Sequence, residues 1–297
     1  FQTVLAGGIV FGWAGISGSL LLAEKKDGGV GLTTDQCTEI FTYASSISSV
    51  TPLFTGWVLD EFGPRKSSSG FNLLVSLGLF MFATAETQVG FIAGAVLFSS
   101  SGFGVQYASA HLSNLFPKNK GLAISLIMGS ITLSFGVFQI FDLLWITYGI
   151  GYQSLFQGYA IIVGCSSLLS MIIWPDTPYE DVDNRDKTSF ESSSIQITGT
   201  RNENTTNLII DSGHVMRSLI EDKFGSKKND SVINQITTTK YFMLNIFYIT
   251  TVFWANFYLA TMVTEIQDRQ LFIEDRQVLI SYFTLFLSCG LAFSAFA

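Results

Sequence analysis

The stretch 40–59 carries no charged side chain and then breaks on Asp60, Glu61, Gly63, Pro64, Arg65 and Lys66. A helix rises 1.5 Å per residue and needs about 20 apolar residues to cross a bilayer core, so this run predicts a membrane-crossing helix that ends at a membrane face. Gly63 and Pro64 predict a tight turn, and a second uncharged run opens at Ser67. The two runs read as a helical hairpin with a charged elbow.

The same alternation of uncharged run and polar break recurs along the chain, and spans can be drawn at about 1–23, 38–60, 67–86, 88–112, 121–143, 153–174, 241–264 and 277–297. Only 13% of the 297 residues are charged, about half the share of an ordinary soluble domain. The expected class is an all-α membrane protein, with a six-helix N-terminal bundle over 1–175, a polar linker over 176–240 and the start of a C-terminal bundle over 241–297. The chain begins without methionine inside one apolar run and stops inside another, which reads as a fragment of a longer protein. Residues 1–23 lack the basic leader of a signal peptide and are long enough to span, so they are taken as the first helix.

Loop charge predicts orientation. Four Lys and Arg lie in 60–66 and 114–120 together and eight in 176–240, against four in 24–37 and 265–276. The positive-inside tendency therefore makes 60–66, 114–120 and 176–240 cytosolic, in a plasma or internal membrane. The linker is too polar to bury a core, although Val215, Met216, Leu219, Ile220 and Phe224 recur at helical spacing. The acceptor patterns at Asn204 and Asn229 are expected to stay unmodified on the cytosolic side. Cys37, Cys165 and Cys289 show no close pairing, so neither a disulfide framework nor a metal site is indicated. No phosphate-cradling loop, HExxH or Gly-x-Ser-x-Gly elbow is present, and no enzymatic activity or cofactor is expected. The expected partners are the lipid bilayer and a small-molecule solute, not nucleic acid, with the chain a monomer.

Gly56, Asp60, Gly63, Arg65 and Lys66 fall on the Gly-x-x-x-Asp-x-x-Gly-x-Arg-Lys pattern between the second and third helices of major facilitator transporters, which the chain resembles. Glu61 and Pro64 stand where that pattern often has basic residues. The resemblance implies two six-helix halves around a midplane site and a gating role for these five residues, with Asp60 and Arg65 able to pair across the turn. The stretch 114–141 and Trp174-Pro-Asp-Thr-Pro further resemble the neutral amino-acid facilitator branch, which includes system-L-like carriers and protist relatives. That resemblance implies a facilitator of small polar solutes, most readily neutral amino acids, working by alternating access. The alternatives are a sugar or monocarboxylate carrier and a non-transporting membrane receptor on the same fold.

Helix faces suggest where solute could bind. Gly8, Gly12, Gly15 and Ser19 recur at steps of four, three and four and read as a packing face on another helix. Ser125, Gly129, Thr132, Gly136 and Gln139 form a polar stripe on the fifth helix that should face the bundle interior, leaving Leu126 and Phe138 for lipid. Ala95, Ser99, Gly102 and Gln106 repeat the arrangement on the fourth helix, and Asn245, Tyr248 and Asn256 on the seventh. The candidate solute contacts are therefore Gln106, Thr132, Gln139, Asn245, Tyr248 and Asn256, since amides in lipid must find partners. His111 reads as a hydrated rim residue rather than a proton relay. Asp142 and Glu86 read as solvated boundary residues at helix ends. With no Asp, Glu, Lys or Arg between the ends of any span, transport is expected to run without proton or sodium coupling.

Overall fold

The computed structural model describes residues 1–116, 119–174, 239–268, 278–280 and 282. The regular elements among them are all helical: α1 (Gln2–Ala6), α2 (Ala14–Ser17), α3 (Thr34–Thr84), α4 (Gln88–Ala110), α5 (Lys120–Ser134), α6 (Gly136–Tyr148), α7 (Tyr152–Ile173) and α8 (Thr239–Asp268). The chain divides into two compact units, Phe1–Asp181 with Ala255–Ala297, and Val182–Trp254. The second is described over 239–254, the first half of α8, where Phe242, Phe247 and Phe253 are exposed. The amphipathic pattern at 215–224, both acceptor asparagines and Cys289 lie outside the described residues.

Among the described residues four helices are long and apolar enough to cross a membrane: Glu61–Thr84, Gln88–Asn114, Lys120–Tyr148 and Tyr152–Ile173. The first and second expected spans are more polar or less regular, for separate reasons. In the first, α1 gives way to a 3₁₀ turn over Ile9–Gly12 and then to α2, with Gly8 at φ −155° and ψ 25° at the join. The second is rich in hydroxyls, and these bond their own helix: Thr42 donates to Thr38 O, Ser49 to Ser45 O and Thr55 to Thr51 O, at 2.8, 2.8 and 3.1 Å. Such back-bonding hides hydroxyls inside an apolar phase.

The second span starts at Thr34, earlier than the sequence suggests, because a reciprocal capping box holds its end. Gln36 N donates to Thr33 Oγ1 at 3.3 Å, and Thr33 N donates to Gln36 Oε1 at 2.9 Å. The helix then breaks at Gly63, whose φ of 76° and ψ of 170° no other residue adopts cheaply. Pro64 opens the next helix, where its missing N–H and fixed φ are harmless. Ser67 Oγ donates to Val58 O at 3.2 Å. A continuous helix would hold those residues about 13 Å apart, so the chain reverses at Gly63 and the expected hairpin is present.

The first span runs beside the fifth in one parallel register. A Cβ on Gly8 would lie 2.7 Å from Ile131 Cγ1, one on Gly12 would overlap the Phe135 carbonyl, and one on Gly15 would lie 3.0 Å from Gln139 N. The glycine face is thus a packing face, as its spacing suggests. Phe138, expected to face lipid, is instead fully buried on this seam. Its ring lies 6.3 Å from those of Trp13 and Phe98 and 5.6 Å from that of Phe156, so aromatic side chains fill the half of the bundle away from the elbow.

Replacing Gly12 by Leu must push the first span off Phe135, and the expected cost is roughly 1 to 3 kcal/mol or more. A Cβ on Gly56 meets nothing within 4 Å. Thermal melting of the purified full-length protein should therefore show a clear loss for Gly12→Leu and none for Gly56→Ala. Equal melting temperatures for the two would refute the seam.

Candidate functional site

The elbow is held at both ends by hydrogen bonds to helix carbonyls. Ser67 takes the Val58 carbonyl, and Arg65 Nε donates to the carbonyl of Trp174, which caps the C-terminus of α7. A cation at a helix C-terminus meets both the orphan carbonyls and the negative end of the dipole. Leu59, Ala108 and Trp174 form a small apolar cluster beside it, with Leu112 packed against them. Lys66 and Gly56 are exposed and Arg65 is half-buried, while the Asp60 side chain lies outside the described residues. The elbow's cation therefore reaches the end of the sixth span, a partner that the sequence pattern did not name.

The candidate solute contacts occupy different surroundings. Gln106 is half-buried on α4, and its Nε2 donates to Met128 Sδ on α5 at 3.1 Å. Its Oε1 is buried with no hydrogen-bond partner among the described residues. Thr132 Oγ1 donates to Gly129 O of its own helix at 2.7 Å. Gln139 is half-buried beneath Gly15. Asn256 is half-buried on α8, and the side chains of Asn245 and Tyr248 lie outside the described residues. The stripe on the fourth helix faces neighbouring helices: Ser99 Oγ donates to Ala44 O at 3.2 Å, and a Cβ on Gly102 would overlap the Ala6 carbonyl. His111 is half-buried in a 3₁₀ turn after α4, and Glu86 is exposed.

Two polar features escaped the sequence reading. One is a buried seam of hydroxyls and amides joining the first, third and sixth spans near the elbow. Ser68 Oγ donates to Gln2 Oε1 at 3.1 Å, Gln2 Nε2 donates to Ser166 O at 3.1 Å and to Ser170 Oγ, and Ser166 Oγ donates to Asn72 Oδ1 at 3.3 Å. Ser69 Oγ donates to Ser167 O at 3.1 Å and Ser167 Oγ to Ser69 O at 2.8 Å. The runs Ser67-Ser68-Ser69 and Ser166-Ser167 are its signal in the sequence. The other is Asp142. Its helix continues to Tyr148, and Asp142 is only 5% exposed and accepts a hydrogen bond from Ser19 Oγ. This overturns both its reading as a solvated end residue and the expectation that no span holds a charge-bearing group in its interior.

At the end opposite the elbow a cleft of about 730 Å³ lies between the start of α3 and the 261–265 stretch of α8. Asp35, Glu39 and Glu265 give it three carboxylates, with Thr42, Tyr43 and Thr264 among its other walls. Its field attracts cations and repels anions.

The family model described as Major Facilitator Superfamily matches residues 4–297. The chain belongs to that superfamily. Its fold is accordingly the all-α major facilitator fold of a multi-pass membrane protein. Among curated proteins it is similar to Protein FMP42 of Saccharomyces cerevisiae, 22% identical over 309 residues, covering 88% of this chain and 61% of the yeast protein. The chain thus spans less than two thirds of that relative. Among solved structures it is similar to a peptide transporter POT mutant in complex with alafosfalin, at 13% identity and a TM-score of 0.46 over 78% of this chain and 52% of that one. The same mutant in complex with sulfate matches at 14% identity and 0.46, over 80% and 47%.

Arg65→Ala removes the charged cap from Trp174 O, and Asp60→Asn removes the carboxylate with which Arg65 is expected to pair. Both are expected to lower solute uptake by the full-length protein severalfold while surface expression stays near wild type. Uptake at wild-type rates in both variants would dismiss the elbow as a gate.

Proposed function

We propose that the full-length protein is a secondary carrier that moves small polar organic solutes, in particular neutral amino acids, by alternating access, with the elbow on the cytosolic side. Membership of the superfamily supports the transport step, and Gln106 supports the solute class. A buried amide oxygen that lacks a hydrogen-bond partner is costly, and a substrate ammonium or hydroxyl can satisfy it. Thr132 and Gln139 on the fifth helix and Asn245, Tyr248 and Asn256 on the seventh are proposed as the remaining contacts.

Charge supports the same reading. The acidic cleft formed by Asp35, Glu39 and Glu265 disfavours an anion such as a monocarboxylate at that end of the bundle. A zwitterion has no net charge to be repelled, and its carboxylate can be met by peptide N–H groups where a membrane helix is broken. The join at Gly8 in the first span is a break of that kind. Arg65, two residues after Gly63 and bonded to the Trp174 carbonyl, would transmit a change of elbow geometry to the sixth span.

Radiolabelled leucine uptake by the full-length parent, competed with phenylalanine, methionine, glucose and lactate, tests the solute class. The expected outcome is competition by the two amino acids alone. Competition by glucose or lactate would replace the solute, and no uptake of any of them would favour a receptor. Cysteines at Gln106, Thr132 and Gln139, in a background without the native three, should be modified by hydrophilic thiol reagents and protected by leucine. One at the exposed Leu126, 42% accessible and directed to lipid, should stay unmodified. The reverse pattern would show that the fourth and fifth helices are rotated away from the solute path.

A further inference from the structure

The seam between the first and fifth spans ends in a different chemistry from the one it begins with. Gly8 meets Ile131, Gly12 meets Phe135 and Gly15 meets Phe138 and Gln139, all through backbone or apolar atoms. One step further, Ser19 meets Asp142 through a hydroxyl donating to a carboxyl. The steps of four, three and four match on both helices, so Asp142 lies on the packed face by register. Phe141, beside it, packs its ring 5.1 Å from that of Phe156 and 5.4 Å from that of Tyr159. An apolar floor and one hydroxyl make a poor home for a carboxylate, which in a membrane span ordinarily requires a cation or several donors.

We propose that Asp142 is a proton-binding site, and that its proton is taken up when Ser19 docks on the fifth span and released when the end of the first span lifts away. The balance is one proton per docking. The hydrated carboxylate accepts a proton from hydronium to give the carboxylic acid and water, and undocking returns the proton to water as the carboxylate is rehydrated. The last contact of the seam is the one that water can replace, because it is a hydrogen bond rather than a backbone contact. The proposal goes beyond the carrier reading by adding an ion to the transport cycle, and it replaces the expectation of uncoupled transport.

The surroundings hold no competing buried charge among the described residues. The 3₁₀ turn Ile9–Gly12 and α2 contain no titratable group, and α5 has only Lys120, at the elbow end. From α7, Tyr152 and Tyr159 face the bundle, with hydroxyls donating to Ala83 O at 3.1 Å and Leu5 O at 2.6 Å. Glu24, Lys25, Lys26 and Asp27 after the first span are all exposed, and Lys26 pairs with Glu24 at 2.8 Å. Trp145, three residues beyond Asp142, donates to Asp27 O at 2.8 Å rather than to the carboxyl. Glu86 and Tyr148 are exposed at the same end, and Glu265 of α8 belongs to the separate acidic cleft.

The first test needs no solute. Infrared difference spectra of the full-length protein in lipid, taken across a pH step, should contain a protonated-carboxyl C=O band that Asp142→Asn removes and Ser19→Ala shifts to higher frequency. The Ser19→Ala shift keeps the site testable if Asp142→Asn folds poorly. The second test loads proteoliposomes of the same protein with an imposed pH gradient and radiolabelled leucine. One pH unit is worth about 1.4 kcal/mol per proton, which corresponds to about tenfold accumulation of a neutral solute. Wild type should approach that ratio, and Asp142→Asn should fall to equilibration. A band that responds to both substitutions without leucine movement would refute the solute class and sustain the proton site. Leucine movement that ignores the gradient, with no band that Asp142→Asn removes, would refute the proton site and sustain the carrier. A band with gradient-independent movement would overturn the link between docking and transport.

Discussion

Backbone-to-backbone approach between the first and fifth spans is the contact on which the rest of this bundle depends. In lipid there is no hydrophobic drive between helices, so association rests on close packing and on hydrogen bonds. Glycines let the first span lie directly on the Phe135 carbonyl and the Gln139 amide. That contact lets the first span be broken into short pieces without losing its place. It also fixes which face of the fifth span looks inward, and thereby buries Phe138 and Asp142.

The second principle of construction is the disposal of polar groups. Hydroxyls of the second span return to their own carbonyls, the serines of the third and sixth spans meet each other, and the elbow residues take the loose carbonyls of two helix ends. Each arrangement removes an unsatisfied group from an environment with no water to serve it. The charge of Arg65 is used twice in this way, as a donor to Trp174 and as a cation at the end of a helix dipole. A gate built on such a residue would move two helix ends together.

The third to sixth spans, their order and the elbow were legible because long uncharged runs are a strong signal and because Gly63 and Pro64 have narrow conformational uses, while the eighth span lies almost wholly outside the described residues. The ends were less so. The Thr33 and Gln36 capping box lengthened the second span, and the fifth ran past Asp142 to Tyr148. Phe138 was misplaced toward lipid because polar residues alone were sought for the inner face. What a glycine face requires opposite it is bulk, and Ile131, Phe135 and Phe138 supply that bulk about a quarter turn away from the polar stripe. Their spacing of four and three, repeated from Gly8, Gly12 and Gly15, was visible in the sequence, but one sequence does not say which two helices pair. The serine seam was missed for the same reason, since each serine back-bonds or cross-bonds according to a neighbour that the chain alone does not name.

The elbow joins its two helices through a single non-helical residue, Gly63. There is no slack between the second and third spans to absorb a change in length. Inserting or deleting one residue between Gly63 and Ser67 would turn the third span by about 100° about its axis and slide it by about 1.5 Å. Ser68, Ser69 and Asn72 would then leave their places opposite Gln2, Ser166 and Ser167, with Leu73 taking the place of Asn72 after a deletion and Phe71 after an insertion. The length of this segment is therefore held as tightly as its composition, and related chains should vary in its side chains far more readily than in its count of residues.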